Sequence, residues 1–169
     1  QTDPILTKQP APSVLVMTSG NFADEPIAIN NEDALERLAP LADAFLIHNR
    51  EIHLRCDDSV VRVDSQKSKP EDRLALGFRP STIYLRRSRA YSPYPIYLTF
   101  DSRPTLAVGG ELKNTFCLTR DRYALLSQHI GDMENAEAYE SFEQNVEHLS
   151  RFFHIQPEII AYDMHPNYF

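Results

Sequence analysis

Apolar residues occur along the chain in short blocks that polar, charged or proline-rich stretches separate. Most blocks are four to nine residues long and several are rich in β-branched residues, which is typical of β-strands. The pattern predicts strands at 14–17, 44–49, 59–63, 82–88, 105–110, 114–120, 123–131 and 158–165. Because two helical patterns lie among these blocks, we predict an α/β (α+β) fold class.

Two segments have the three- and four-residue spacing of an amphipathic helix. The first begins at Asn30 and Asn31 with acids in its first turn, and Pro40 ends it. The second extends from about Asn135 to His154 and stops before Pro157. Its apolar stripe consists of Tyr139, Phe142, Val146, Leu149, Phe152 and Phe153. The second half of the chain therefore has the predicted order β-β-β-α-β.

A proline-rich stretch at 91–104 divides the chain, since it holds three prolines and no clear period. The predicted units are a first domain at 1–93, a linker at 94–104 and a second domain at 105–169. Residues 64–80 mix charges with proline and are predicted to be a loop or insertion. The final strand should be buried, so we expect the second domain to need partners downstream of Phe169.

Composition and charge narrow the possible functions. The chain has 169 residues, 42% of them apolar, and no apolar run long enough to span a bilayer. Its net charge of −7 argues against a general nucleic-acid binder, which needs a basic face. Basic residues nevertheless outnumber acidic ones between 62 and 89. A specific small anion is therefore a better candidate ligand than a long polyanion.

Cysteine and histidine give only weak signals. Cys56 and Cys117 lie in no metal-binding pattern and are interpreted as buried thiols in a reducing cytosol. His165 follows a strand end close to Asp163, but a lone histidine there is more often structural. The chain has no initiator Met and no signal peptide, so we expect it to be a piece of a longer protein.

Two polar clusters are candidate anion sites. Gly20 permits unusual backbone conformations, and the flanking Ser19 and Asn21 can converge with backbone N–H groups on an anion. A plain turn is the alternative. Alternation along a strand puts Arg87 and Arg89 on one face, where two guanidinium groups can hold a triphosphate or carboxylate. A solvated strand edge is the alternative.

Two further clusters carry phosphate-binding chemistry. The block at 55–63 offers acids for Mg²⁺ or a ribose, and Ser59 as a donor to a phosphate. Two solvated acids in a turn are the alternative. The glycine pair at 109–110, with Lys113 and Asn114, predicts a phosphate-binding hairpin, with an ordinary hairpin turn as the alternative.

Taken in order, these blocks resemble one family, the hydrogenase-maturation carbamoyltransferases HypF. The resemblance rests on "LVMTSGN…DEP", "ADAFLIHNR", "CDDSVVRV", "LRRSRAY", "LAVGGELKNTFCL", "LSQHIGDMEN" and "DMHPNY". It covers nearly the whole chain from Val14 onward. It implies that residues up to about 93 are the later part of a YrdC-like twisted α/β domain that binds ATP. Residues from about 104 would begin an actin-like ATPase domain of the ribonuclease-H-like type.

The resemblance implies an enzyme that converts carbamoyl phosphate and ATP, with Mg²⁺, to a carbamoyl-adenylate. The carbamoyl group then passes to the C-terminal cysteine of the partner protein HypE, on the route to the cyanide ligands of the NiFe hydrogenase centre. The resemblance also implies a cytoplasmic protein without membrane or nucleic-acid partners. Zinc or another metal is expected in the full-length protein, outside this segment.

Carried over by position, the resemblance assigns roles to eleven residues, but no catalytic residue and no metal ligand within this segment. ATP and carbamoyl binding falls to Ser19, Asn21, Ser59, Arg87 and Arg89. The phosphate loop of the second domain is Gly109, Gly110, Lys113 and Asn114, and Asp132 and His165 lie near its cleft. In two departures from the family, 64–80 is a longer insert and Ala90 replaces a glycine. Both bear on how the arginine strand meets the nucleotide.

Two other functions are compatible with parts of the pattern. A YrdC-like threonylcarbamoyl-adenylate synthase of tRNA modification shares Ser19 and Asn21 but leaves the blocks at 109–118 and 163–168 unexplained. A non-enzymatic docking module would bind a partner protein through the basic insert and the acidic helix. An isolated segment of a carbamoyltransferase is expected to be inactive by itself.

Overall fold

The computed structural model describes residues 13–22, 25–64, 81–134 and 136–168. The elements are α1 Asn31–Arg37, β1 Val60–Asp64, β2 Ser81–Arg86, β3 Ile96–Ala107, β4 Cys117–Leu126, α2 Ala136–Phe152 and β5 Ile159–Ala161. β1 and β2 form an antiparallel pair, and a second sheet has the strand order β4-β3-β5. The predicted mixed α/β fold is confirmed. No helix in the described ranges is long and apolar enough to cross a membrane.

Helix α1 lies at its predicted position, but charges rather than a cap stabilise its ends. The Asn30 backbone is extended as at an N-cap, yet its side chain makes no capping hydrogen bond. Glu32 and Asp33 occupy the first turn and Arg37 the last, which complements the helix dipole. Arg37 bonds Asp33 one turn earlier at 3.0 Å and also pairs with Glu25. The helix is thereby tied to the segment that precedes it.

The core lies between the three-stranded sheet and α2. Antiparallel pairing sets Leu106 of β3 opposite Leu118 of β4, and β5 runs parallel to β3 on its other side. Parallel strands need a crossover connection, and α2 supplies it between β4 and β5. The ring of Phe142 on α2 meets Phe116 edge-on, with centroids 5.6 Å apart. The buried cluster consists of Leu106, Phe116, Leu118, Leu125, Leu149 and Ile155.

Most of the segment predicted as a linker, 94–104, is a strand instead, because β3 already begins at Ile96 and includes Pro104. Proline was the misleading signal. Pro104 lies where the register with β4 shifts, between Ser102 and Thr105, and such irregular positions accommodate a residue without an N–H. The domain boundaries themselves remain predictions.

The strands predicted at 114–120 and 123–131 form one strand, β4. The charged break between them is an irregularity inside this strand and not a turn. Asp121 has a left-handed backbone with φ of 53°, and its carbonyl accepts a hydrogen bond from Ser102 Oγ at 2.8 Å. The register with β3 shifts on both sides of Ser102, as at a β-bulge. Among the described residues, two strands rather than three therefore precede α2 in the second half.

Three apolar segments differ from their predictions. The runs at 14–17 and 44–49 form no strand, and Val16 and Leu46 are 97% and 101% exposed. β5 forms, but it is not buried, since Ile160 is 62% exposed. Apolar composition drives burial only where another apolar face is at hand, and the described residues offer none here. The predicted insertion lies outside the described residues, except for Asp64 at the end of β1.

Helix α2 confirms the predicted helix and most of its predicted inner face, since Leu149 is buried and Phe142, Val146 and Phe153 pack against the buried cluster. The buried residues are Ala138, Ser141, Asn145 and Leu149. Two members of the predicted apolar stripe, Tyr139 and Phe152, are 44% and 65% exposed. The buried face is therefore wider than predicted on one side, where two small polar side chains, Ser141 and Asn145, also face inward.

Both cysteines are free and half-buried. Burial raises the pKa of the Cys117 thiol, which keeps it protonated and unreactive. Cys56 Sγ lies 3.6 Å from the hydroxyl of Ser88. They are therefore less deeply buried than the sequence suggested.

Leu118→Ala should lower the free energy of unfolding by about 2–5 kcal/mol, because the side chain is fully buried and its truncation leaves a cavity. Urea unfolding followed by circular dichroism measures the loss. Leu112→Ala is the matched control, since it removes the same atoms from a side chain that is 62% exposed. We expect the control to change stability by no more than about 0.5 kcal/mol. Equal losses in both variants would contradict the assigned core.

Gly109→Ala should destabilise the hairpin between β3 and β4. The φ of Gly109 is +77°, and an added Cβ would lie 2.3 Å from the carbonyl oxygen of Thr115. Strain of this kind costs about 1–3 kcal/mol before the clash is counted. At Gly110 an added Cβ would make only ordinary contact, 3.8 Å from Asp163 Oδ2, so Gly110→Ala is the control. The same urea measurement should separate the two variants, and a neutral Gly109→Ala would refute the hairpin geometry.

Candidate functional site

A cavity of about 680 Å³ lies between the two halves of the chain. Its size falls in the range of small-molecule sites, about 300–1,000 Å³. Charged residues of the first half that line it are Glu25, Arg55, Asp57, Arg86 and Arg87, and its polar residues there include Ser19 and Asn21. Those of the second half include Lys113, Gln128, His129, Asp132 and Asn145. Of the predicted site residues, the cavity thus brings together Ser19, Asn21, Arg87, Lys113 and Asp132.

The segment that follows β4 joins the two halves. The backbone N–H of His129 donates to the carbonyl of Arg87 at 3.0 Å. Gln128 Nε2 donates to the carbonyl of Arg55 at 3.3 Å. These bonds hold the cavity walls of the two halves against each other.

The segment at Ser19 and Asn21 is a closed turn at the cavity wall. The N–H of Ala28 donates to the carbonyl of Gly20 at 3.0 Å. Asn21 Nδ2 donates to the carbonyls of Phe22 and Glu25, at 2.8 and 3.0 Å. Asn21 Oδ1 is buried and has no hydrogen-bond partner in the described structure. The asparagine thus fixes the turn with one end of its amide and has an acceptor left at the other.

The two candidate arginines do not share a strand face, because β2 ends at Arg86. Arg87 lines the cavity, and its Nη2 donates to the carbonyls of Tyr91 and Tyr94, at 2.7 and 3.1 Å. Arg87 Nε is buried and unpartnered in the described structure. Arg89 lies outside the cavity lining, where it is exposed and pairs with Asp58 at 3.4 Å. The predicted joint grip of two guanidinium groups is therefore wrong for this geometry.

Ser59 also lies outside the cavity lining, and its hydroxyl has a structural use. It accepts a hydrogen bond from the N–H of Ser88 at 2.9 Å and donates to the carbonyl of Arg89 at 2.8 Å. The neighbouring Asp57 does line the cavity and pairs with Arg86 at 2.9 Å. The block at 55–63 thus presents a carboxylate to the cavity, while its serine holds the chain together.

The predicted phosphate hairpin presents one side chain to the cavity, Lys113. Gly109 and Gly110 shape the turn, and Asn114 Nδ2 bridges it by donating to the carbonyls of Val108 and Gly110, at 2.9 and 2.7 Å. The backbone N–H of Lys113 donates to Asp132 Oδ1 at 2.6 Å. Gly109, Gly110 and Asn114 therefore build the loop that positions Lys113.

Of the two predicted cleft residues, Asp132 lines the cavity and His165 does not. His165 Nδ1 accepts a hydrogen bond from the N–H of Asn167 at 3.3 Å, and its ring stacks on Tyr168 with centroids 4.4 Å apart. These local contacts give His165 the structural character that is usual for a single histidine.

Sequence reasoning missed His129, Gln128 and Asn145 as cavity residues. Gln128 and Asn145 are both almost fully buried, and Gln128 Nε2 donates to Asn145 Oδ1. Asn145 Nδ2 in turn donates to the carbonyl of Ser141 at 2.6 Å. The available signal was the polar block at 127–129 directly after an apolar strand, together with polar residues on the inner face of α2.

The protonation of His129 depends on its burial and on the charges around it. Burial lowers the pKa of His129, and the positive charge of Arg86 lowers it further. The carboxylates of Asp57 and Asp132 act in the opposite direction, and Lys113 adds a smaller lowering effect. The imidazole is therefore neutral at pH 7. Among the described residues, no group of three or more His, Cys, Asp or Glu side chains is arranged to hold a metal ion.

The lowered pKa of His129 should make the unfolding free energy depend on pH. Its pKa in the folded chain lies below the ordinary value near 6.5, so the unfolded chain binds this proton more readily. The His129 contribution to stability is therefore complete above about pH 6.5 and is lost progressively below it. His129→Asn should reduce the fall in unfolding free energy between about pH 7 and 5. An NMR titration that put the His129 pKa at or above 6.5 would contradict this environment.

Two family models match the chain. The model described as "HypF Kae1-like domain" matches residues 100–169, and the model described as "Telomere recombination", the Sua5/YciO/YrdC family, matches residues 3–71. One matched range lies in the first half of the chain and the other in the second.

Curated relatives match almost the whole chain. Carbamoyltransferase HypF2 of Cupriavidus necator is 45% identical over 161 residues, which is 95% of this chain and 19% of that protein. Carbamoyltransferase HypF of Synechocystis sp. is 42% identical over 159 residues, which is 92% of this chain and 18% of that protein. The chain thus spans about a fifth of the length of these relatives.

Solved structures agree in fold. Full-length HypF in a phosphate- and nucleotide-bound form is 41% identical, with a TM-score of 0.77 over 89% of this chain and 22% of that one. HypF of T. kodakarensis is 35% identical, with a TM-score of 0.75 over 90% of this chain and 18% of that one. In sequence and in fold, the chain therefore belongs to the HypF family.

Proposed function

We propose that the chain is part of an ATP-dependent carbamoyltransferase and that its cavity holds a carbamoyl-adenylate formed from carbamoyl phosphate and ATP. One observation carries the proposal: a single cavity is lined by Ser19, Asn21 and Arg87 from the first half and by Lys113 and Asp132 from the second. A threonylcarbamoyl-adenylate synthase would account for the first group alone. The HypF family accounts for both groups.

Two unpaired atoms match this ligand. Asn21 Oδ1 is an acceptor and Arg87 Nε a donor, and both belong to residues that line the cavity. A buried polar atom without a partner costs about 1–3 kcal/mol, which a complementary ligand recovers. A carbamoyl-adenylate carries both complements, because its amide N–H groups can donate to Asn21 and its phosphate oxygens can accept from Arg87.

The chemistry requires charge neutralisation and alignment more than proton transfer. Hydrolysis of carbamoyl phosphate by water first gives carbamate and inorganic phosphate. A carbamate oxygen then attacks the α-phosphate of ATP, which forms one P–O bond and breaks the bond to the β-phosphate, and pyrophosphate leaves. Carbamate is already an anion, so this step needs no general base. Arg87 and Lys113 stand on opposite halves and can neutralise phosphate charge from two sides. Ser19 is exposed to the cavity and supplies a hydroxyl donor.

The cavity also fits the Mg²⁺ that accompanies ATP. Mg²⁺ is usually bound by one or two carboxylates together with substrate phosphates and water. Of the three carboxylates that line the cavity, Asp57 and Asp132 come from opposite halves of the chain, and we assign this role to them. When bound, the ion would neutralise phosphate charge that these residues alone would repel.

We extend the proposal to the acceptor, the C-terminal cysteine of HypE, which would receive the carbamoyl group in hydrogenase maturation. Membership of the HypF family supports this step. The chain spans about a fifth of the length of the relatives on which this step rests.

Ser19→Ala in a full-length enzyme carrying this segment should lower carbamoyl-phosphate-dependent exchange between ATP and pyrophosphate about ten- to hundredfold, because one donor to the reacting phosphates is lost. The fold should be unaffected, since the side chain is exposed.

Ser102→Ala is the matched control. It removes the same hydroxyl from a residue outside the cavity lining, where Ser102 Oγ bonds the carbonyl of Asp121. The control should retain exchange activity. Undiminished exchange in Ser19→Ala would refute the proposed role of this turn.

A further inference from the structure

Two histidines meet across the junction of the two halves, away from the cavity lining. His53 precedes the block at 55–63, and His148 lies on α2. His53 Nε2 lies 3.2 Å from His148 Nδ1, and the ring centroids are 4.8 Å apart. His53 is exposed and His148 half-buried, so solvent and ions reach the pair. The cavity chemistry uses neither residue.

The separation of the two nitrogens matches that of two ligands on one metal ion. With Zn–N bonds of about 2.05 Å and a tetrahedral angle of about 109°, two ligand nitrogens lie about 3.3 Å apart. The observed 3.2 Å corresponds to a ligand–metal–ligand angle of about 103° for the same bond length. A small rotation, mainly of the exposed His53 ring, would direct both lone pairs at a common point.

The protonation of the pair favours metal binding at neutral pH. Partial burial, the neighbouring His53 and the charge of Arg151 all lower the pKa of His148. Arg151 itself pairs with Glu147 at 3.7 Å, which moderates its repulsion of a cation. Phe152 stacks on the His148 ring, with centroids 6.1 Å apart, and restricts its orientation.

We propose that His53 and His148 form a two-imidazole site for a divalent transition-metal ion of the Zn²⁺ class, which clamps the first half of the chain to α2. Imidazole nitrogens suit such ions, and water would complete the coordination because the described residues offer no third side-chain ligand. In the metal-free pair one ring donates an N–H to the other. On binding, that proton moves through solvent to the other nitrogen of its own ring, so both facing nitrogens coordinate and no net proton is released.

Zinc titration of the untagged 169-residue chain at pH 7.5, in a non-coordinating buffer, tests the site. Isothermal calorimetry should show one binding site in the wild type. His53→Gln and His148→Gln keep a side chain that can form hydrogen bonds but lack the ligand nitrogen, so each should weaken zinc binding at least about tenfold. Zinc should also raise the melting temperature of the wild type and not that of these variants, because binding to the folded state alone stabilises it.

His154→Asn is the control. It removes another imidazole near the end of α2, and asparagine tolerates the left-handed backbone at this position, with φ of 53°. Zinc affinity should be unchanged in this variant. NMR of the wild type gives a test that needs no variant, since the ring signals of His53 and His148 should shift together at one equivalent of zinc. The proposal would be overturned if the wild-type chain showed no single zinc-binding site. It would also be overturned if the Gln variants bound zinc as tightly as the wild type.

Discussion

The structure depends on the hydrogen bonds of the segment at 127–130, which follows β4. On one side the segment pairs with the hairpin: the N–H of Ser127 donates to the carbonyl of Phe116 at 2.9 Å, and that of Ile130 to Asn114 at 2.9 Å. On the other side it reaches the first half, through His129 to Arg87 and through Gln128 to Arg55. One short segment thus fixes both the phosphate hairpin and the wall opposite it.

Buried backbone groups must find partners, and this requirement explains why the segment is polar. Ser127 is fully buried, and its hydroxyl accepts a hydrogen bond from the N–H of Phe116 at 3.0 Å while donating to the carbonyl of Gln128 at 2.8 Å. An apolar residue at this position would leave those groups unpaired, at a cost of about 1–3 kcal/mol each. The change from an apolar strand to a polar segment therefore marks the point where the sheet stops covering the core and begins to line the cavity.

The sequence pattern correctly predicted the elements that depend mainly on interactions between residues close in sequence. The spacing of apolar residues located both helices, because a helix forms its own backbone hydrogen bonds. β-Branched runs located β1 and β2, which pair with each other. The same reasoning failed at Pro104 and Asp121, where pairing between distant residues overrides the local turn and linker signals. It failed again at 14–17, since burial of an apolar run depends on an apolar partner and not on the run itself.

The candidate site could be predicted residue by residue only in part. Blocks of sequence indicated Ser19, Asn21, Arg87, Lys113 and Asp132, which the fold gathers around one cavity. They could not separate these residues from neighbours of the same chemical type with structural uses. Ser59 and Asn114 hold the backbone with the hydroxyl and amide groups that a phosphate would otherwise engage. For Ser59 the difference lies in hydrogen bonds to Ser88 and Arg89, which are distant in sequence, and for Asn114 in the closure of its own hairpin.

The inner face of α2 serves both the core and the cavity. Hydrophobic burial alone would turn Tyr139 and Phe152 inward, yet the helix buries Ser141 and Asn145 instead. Those polar groups are tolerated because they bond one another, and because Gln128 completes the network from the joining segment. One helix therefore packs Leu149 into the core and, one turn earlier, forms a neutral amide wall opposite the charged groups of the cavity. A wall of this kind lets the cavity hold both the uncharged carbamoyl group and the phosphates of the proposed ligand, because each meets groups of matching polarity.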